Sequence, residues 1–261
     1  MSDKKPAEEK PPTTWVCLRG LGRGQFHWGE FKGAMEAAKP GDKFFWLEYP
    51  GNGERFREQS PWNIDDYVQD LRRQLSAAKN QGGVTVLAVS FGGMIATRWA
   101  ELYPNEIDKL VLINTSSGAD QMLHRLQKSA WLTMVQIVWA SLSPPAVAAV
   151  EVEKHVLKMT LSSPEKNQFY IKAWASYMKS HPVSPRSFAA QLWAAKSAKF
   201  PDYAPVPVHL VVSKNDRMVS PQCMQSLAER WEVPITEHPW GGHDLPLDDP
   251  RGLIKIIEET T

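Results

Sequence analysis

Three side chains in this sequence could together cleave an acyl bond: Ser90, Asp216 and His243. A serine hydroxyl is a weak nucleophile near neutral pH. It needs a neutral imidazole to take its proton, and the imidazole needs a carboxylate that fixes its tautomer and stabilises its charged form. Each of the three falls on a loop at the carboxyl end of a predicted strand. For the base, His238 competes with His243. His243 is preferred because Gly241 and Gly242 let its loop turn inward, whereas His238 belongs to a strand and precedes Pro239. Asp244 competes for the acid, but it adjoins the histidine and is expected to be solvated.

The elements that must hold these residues are legible as patterns. Val84 to Val89 is a β-branched, apolar run after Gly82-Gly83, and reads as a buried strand. Ser90 ends it, and Gly92-Gly93 open a helix in which Met94, Ile95, Trp99, Leu102 and Tyr103 recur at helical spacing until Pro104. Small residues at 88 and 92 leave room for a serine held on a sharp strand-to-helix turn. Further strands are expected at Trp15–Leu18, Lys43–Leu47, Leu110–Asn114, Val206–Val212 and Pro234–His238. Helices are expected at Asp65–Lys79, Ser220–Trp231 and about Pro250–Glu258. Strands alternating with helices imply a parallel sheet joined by crossover helices.

From Ala119 to about Lys199 the alternation stops and only helical patterns remain. They run through Met122/Leu126/Met134/Val138, Val147 to Met159, Pro164 to Met178 and Ser187 to Ala198, punctuated by proline clusters. The expected organisation is a solvated tail over 1–12, an α/β core over 13–118 and 201–261, and a helical insertion over 119–200.

Arg19-Gly20-Leu21-Gly22-Arg23-Gly24 follows the first strand and invites a dinucleotide-binding reading, with Glu48 after the next strand as the ribose acid. The spacing argues against it, since G-x-G-x-x-G needs a glycine where the chain has Gln25. The better reading is a loop whose backbone N–H groups face a reaction centre. His209 lies inside a strand and reads as a core or edge residue. Cys17 and Cys223 show no metal or redox spacing and read as reduced thiols. No His/Asp/Glu cluster has metal-ligand spacing, so neither a metal nor another cofactor is expected.

With 43% hydrophobic and 23% charged residues over 261 positions, the chain can bury a sizeable core. Its net charge of +1 supplies no global field for nucleic acid or for an anionic membrane surface. The first twelve residues lack the apolar stretch of a signal peptide, and the most apolar segment, around Ala130 to Leu142, is too short to span a bilayer. A cytoplasmic location without stable membrane insertion is the expectation. Oligomeric state is not legible.

The turn Ala88-Val89-Ser90-Phe91-Gly92 resembles the nucleophile elbow G-x-S-x-G of the α/β-hydrolases, with Ala88 in place of the first glycine. The order Ser90, Asp216, His243 is also that family's, and some relatives place the acid one strand earlier, where Asp120 would stand. Arg19-Gly20-Leu21 resembles the family's His-Gly-x turn, with arginine for histidine. Glu48-Tyr49-Pro50-Gly51-Asn52-Gly53 is similar to its D-x-P-G-x-G turn, and the helical insertion resembles its lid. The resemblance covers residues 13 to 261. It implies a mostly parallel, doubly wound α/β sheet and a cofactor-independent serine hydrolase for a small or medium, largely apolar ester or thioester. The backbone N–H groups of Leu21 and Phe91 would be the oxyanion donors. Arg19, Trp131, Trp139, Trp174 and Trp240 are the candidate substrate contacts, Arg19 toward an acidic substrate or else paired with Glu48. The same scaffold also hosts lactone opening, acyl transfer and carbon–carbon hydrolysis, and a silent ligand-binding protein is the remaining alternative.

Overall fold

The structure, a computed structural model, describes residues 12–78, 82–117, 126–141 and 145–260. Six strands form one sheet: β1 (Thr14–Leu18), β2 (Lys43–Trp46), β3 (Val84–Val89), β4 (Ile107–Ile113), β5 (Val208–Ser213) and β6 (Ile235–His238). Their spatial order is β2-β1-β3-β4-β5-β6, and every pairing is parallel.

Both faces of a parallel sheet are covered, so its strands are apolar on both sides. Val16, Leu18, Val86, Ala88, Leu210 and Val212 face one core. It is closed by α2 (Ile64–Ala77), α3 (Phe91–Leu102) and, later in the chain, α8 (Pro221–Trp231). Trp15, Cys17, Leu87, Val89 and Val211 alternate onto the other face. There they meet α1 (Glu30–Ala38) and the final helix α9 (Pro250–Thr260).

Helix α1 is the element the sequence patterns did not reveal. It is nine residues long, buries only Phe31 and Met35, and carries Gly33 in its middle, so its periodic signal is faint. It is nonetheless required, because parallel β1 and β2 need a crossover between them.

Between β4 and β5 the described residues form four helices: α4 (Lys128–Ser141), α5 (Pro145–Thr160), α6 (Pro164–Ser180) and α7 (Pro185–Ser197). Three of them start with a proline, whose fixed φ and missing N–H suit the first helical turn. Leu126 departs from the helical pattern expected of it and forms an antiparallel bridge with Val219. Met122, from the same pattern, and Asp120, the competing acid, lie outside the described residues.

The block is tied to the sheet by buried polar contacts. Gln191 on α7 donates to Asn52 Oδ1 (2.7 Å) and Ser60 Oγ (3.0 Å), and accepts from the Gly22 N–H (2.8 Å). Glu153 on α5 takes a two-point bond from Arg23 (2.7 and 3.0 Å).

Chain order dictates where a ligand can enter. From β1 the chain moves outward to β2, and it then crosses back to place β3 on β1's other side. The helices that follow β1 and β3, α1 and α3, therefore pack on opposite faces of the sheet, and in open α/β sheets ligands bind at such a reversal, outside the carboxyl ends of the strands. Arg19-Gly20-Leu21 and Ser90 are the residues that leave those two strands.

Candidate active site

Ser90 sits at φ 56°, ψ −118°, a conformation that costs a non-glycine residue about 1–3 kcal/mol. The surroundings over-determine it. Its N–H donates to Ile113 O (2.9 Å), and its carbonyl accepts from Gly93 N–H (2.9 Å) and Thr115 Oγ1 (2.7 Å). The two glycines are sterically required. A Cβ at Gly92 would stand 2.7 Å from the Leu18 carbonyl oxygen and 2.8 Å from that of Arg19, and one at Gly93 would stand 2.7 Å from Thr115 Cβ. Gly20 in turn lies against the serine, with a Cβ position 3.4 Å from Ser90 Cβ and 3.8 Å from its Oγ. Gly92→Ala is therefore expected to lose about 1–3 kcal/mol and to displace the loop after β1. A thermal melt read beside turnover checks this, because overpacking at an indifferent site would move the first alone.

Asp216 and His243 meet in a buried contact: His243 Nδ1–H donates to Asp216 Oδ2 at 2.7 Å. The other carboxylate oxygen accepts the N–H groups of Met218 and Val219, each at 2.8 Å, so the acid is oriented by its own turn. Burial works against the charged imidazole, but Asp216, through its charge and hydrogen bond, and then Asp244 outweigh it. His243 is held above its ordinary value, with Arg19 acting in the opposite sense.

The link between serine and histidine runs through the end of β4. Asn114, at φ 47°, follows the Ile113 carbonyl that Ser90 bonds. Its amide donates to the carbonyl oxygens of His243 (2.9 Å) and Gly242 (3.1 Å) and to Ser213 Oγ (2.9 Å), and it accepts from the Ser213 N–H (2.8 Å). Sequence reasoning passed over Asn114 as the last residue of a strand. The signal was an asparagine ending an apolar run, the residue type that tolerates positive φ and offers both donors and an acceptor.

Of the expected oxyanion donors, the Phe91 N–H belongs to the first turn of α3, where an amide has no intrahelical partner. Leu21 follows Gly20 directly, and the peptide before its own, Arg19–Gly20, is braced by the Tyr49 hydroxyl, which donates to Arg19 O at 3.0 Å.

Arg19 has a different partner from either expected one. Its guanidinium forms a buried two-point bond with Asp244 (2.9 and 2.6 Å) and lies 4.9 Å over the Trp28 ring. It is 2% exposed and its charge is matched, so it offers no free cation to an acidic substrate. Asp244, expected in solvent, is 6% exposed as this partner.

Glu48 is engaged elsewhere. Its carboxylate accepts the N–H groups of Gln25 (2.7 Å) and Glu54 (2.9 Å). A Cβ at Gly24 or Gly53 would collide with that carboxylate, which explains the glycines of both loops. They close on Glu48 and leave it no ribose to bind. Burial raises its pKa, and the two amides pull the other way.

The tryptophans are dispersed. Trp174 is buried, stacked on Tyr170 at 4.6 Å and covered by Arg23 at 5.1 Å, so its faces are already occupied. Trp240 packs edge-on to His238 at 5.0 Å. Trp131 and Trp139 are exposed on α4. His238 is spoken for at both nitrogens, by the Gly241 N–H (2.9 Å) and Asp249 (3.1 Å), which removes it from contention as the base. His209 is a buried strand residue bonded to Thr236 (2.9 Å). Among the described residues no group of His, Cys, Asp or Glu has the makings of a metal site.

The loop carrying His243 is also stapled to the helical block. Asp248 accepts from the Ser162, Ser163 and Gly242 N–H groups (2.9, 3.1 and 2.7 Å), and the Asp244 N–H donates to Thr160 O (2.9 Å).

Comparison with known proteins agrees with this architecture. A stretch of 114 residues is 31% identical to the biotin biosynthesis bifunctional protein BioHC of Teredinibacter turnerae, covering 43% of this chain and 19% of that protein. A stretch of the same length is 29% identical to protein phosphatase methylesterase 1 of Candida albicans, covering 42% and 31%. The matches thus span less than a third of either relative. Among solved structures, an esterase from Rhodococcus sp. ECU1013 superposes with a TM-score of 0.76 at 18% identity, covering 95% of this chain and 90% of that one. The enol-lactonase of Burkholderia xenovorans LB400 gives 0.74 at 14%, covering 97% and 92%. Residues 15–256 match the alpha/beta hydrolase family, and to that family the chain belongs.

Proposed function

We propose that the protein is a cofactor-independent serine hydrolase that cleaves a carboxylic ester or thioester through an acyl-enzyme on Ser90. The observation that carries this reading is the buried His243–Asp216 hydrogen bond, joined through Asn114 and Ile113 to a serine held at positive φ. In the proposed reaction Ser90 Oγ attacks the carbonyl carbon as its proton passes to His243 Nε2. The oxyanion is met by the Leu21 and Phe91 N–H groups. His243 gives the proton to the departing alcohol or thiol, and a water molecule, deprotonated by the same imidazole, hydrolyses the acyl-enzyme. The helices of 119–200 act as the lid over this centre. The methylesterase among the relatives supports a carboxylic ester as substrate.

The test is labelling with a fluorophosphonate followed by peptide mapping. A single adduct on Ser90, absent from Ser90→Ala, is the expected result. Labelling that survives the substitution, or a protein that neither labels nor hydrolyses aryl esters or acyl thioesters, overturns the proposal. Lactones and vinylogous diketones in the same panel separate the ester reading from the other reactions this scaffold hosts.

A further inference from the structure

Helix α4 is mostly apolar, with its polar Ser129, Thr133 and Gln136 on one flank, and the apolar side chains on the adjoining side are left unpacked. Ala130 and Ala140 are buried, while Trp131, Leu132, Val135 and Trp139 are 37, 64, 54 and 71% exposed. At about 100° per residue those four fall within an arc of roughly 100° on one side of the helix. A helix on the surface of a globular protein carries polar residues there. A contiguous exposed patch of this kind marks an interaction surface.

The chemistry of the segment narrows what covers it. Residues 121–150 contain no aspartate or glutamate, although the chain as a whole carries 29 acidic residues in 261. The same stretch contains Lys128, the first residue of α4, and Arg125, three positions earlier in the sequence. Tryptophan indoles prefer the boundary between water and hydrocarbon, and a helix with an apolar face and basic flanks lies in that boundary, drawn by anionic headgroups. A partner with an acid-rich surface would match the basic flank but not the two indoles and two aliphatic side chains. Among the described residues no helix is long and apolar enough to cross a membrane, so the contact is one of lying on a surface.

We infer that α4 is a peripheral docking surface for an anionic phospholipid bilayer, with Trp131, Leu132, Val135 and Trp139 entering the headgroup boundary. The start of the helix is fixed beside the turn of Asp216, by Gln127 N–H to Met218 O (3.0 Å) and Ser129 Oγ to Arg217 O (3.2 Å). A bilayer engaged by this face would lie next to the candidate site. The binding itself does not depend on the reaction proposed above.

The experiment is co-sedimentation of the full chain with large vesicles of phosphatidylcholine, with and without phosphatidylglycerol. Binding to the mixed vesicles, at least tenfold weaker to phosphatidylcholine alone, is expected. The Leu132→Gln/Val135→Gln variant should lose on the order of tenfold in partitioning to the mixed vesicles while melting at the wild-type temperature. Leu132→Gln alone serves if the double variant does not fold. Lys128→Glu should weaken only the phosphatidylglycerol-dependent part. No sedimentation with the mixed vesicles, or equal sedimentation of wild type and the glutamine variants, overturns the inference. So does a dimer in gel filtration that the variants dissolve without vesicle binding, which would assign the face to a second copy. A raised KM for a long-chain ester without vesicle binding would assign it to the acyl chain and overturn it as well.

Discussion

Asp216→Asn is expected to lower kcat by roughly 10³- to 10⁴-fold while leaving KM and the melting temperature close to wild type. The reason lies in how the carboxylate is held. Asp216 Oδ1 accepts two backbone N–H groups, from Met218 and Val219, and an asparagine placed in the same turn keeps its carbonyl oxygen there. Its amide nitrogen then faces His243 Nδ1, where the carboxylate oxygen stood at 2.7 Å. An amide can only donate to that nitrogen. The imidazole is driven to the tautomer protonated on Nε2, and the nitrogen that must take the serine proton already carries one. Nothing else in the turn changes, so folding and ground-state binding should survive. Stopped-flow and steady-state kinetics on an activated ester, read beside a thermal melt, check this. A loss of less than tenfold would show that Asp216 is not the acid and return attention to Asp120.

How much of this was legible without coordinates follows from range in sequence. The elbow was readable because everything that makes it is local: an apolar β-branched run, a serine, two glycines and a helical repeat within twenty residues. The candidate triad could be proposed as an order of types at strand ends, since a parallel sheet gathers its carboxyl-end loops on one edge whatever the intervening lengths. Helix α1 was lost because nine residues with a central glycine carry a weak period, and Leu126 was misread because an isolated bridge has no period at all.

The misread polar residues share a different cause. Asp244 looked solvated beside His243, and Arg19 was assigned an acidic substrate or Glu48, because the true partners are 225 positions apart and neither neighbourhood hints at the other. Glu48 was set aside as a ribose acid on the glycine spacing, but nothing nearby in sequence named the partners it does have, the amides of Gln25 and Glu54. A charge in sequence advertises a need for a partner, whereas its identity is a property of the fold.

That long-range pair is where the second large effect is expected. Arg19 follows β1 and immediately precedes Gly20-Leu21; Asp244 follows His243. Their two-point bond therefore fastens the candidate oxyanion loop to the loop of the base. Arg19→Met leaves a carboxylate buried without its counter-charge, and is expected to cost about 3–5 kcal/mol of stability. Arg19→Met/Asp244→Leu removes both charges, and should recover most of that loss while kcat stays depressed, because the loops are no longer tied. A purely structural pair would restore both together. The pH profile separates the roles further. His243 is charged more readily because of Asp244 and less readily because of Arg19. The proposed mechanism needs the neutral imidazole, so kcat/KM is expected to fall as the pH drops through the His243 pKa, which lies above its ordinary value. Asp244→Asn lowers that pKa and should carry the acid limb to lower pH. Arg19→Met raises it and should carry the limb to higher pH. Opposite displacements from the two ends of one ion pair are the signature of charges acting on His243. Displacement in the same direction, or none, would mean that the pair braces the loops without touching the base's proton.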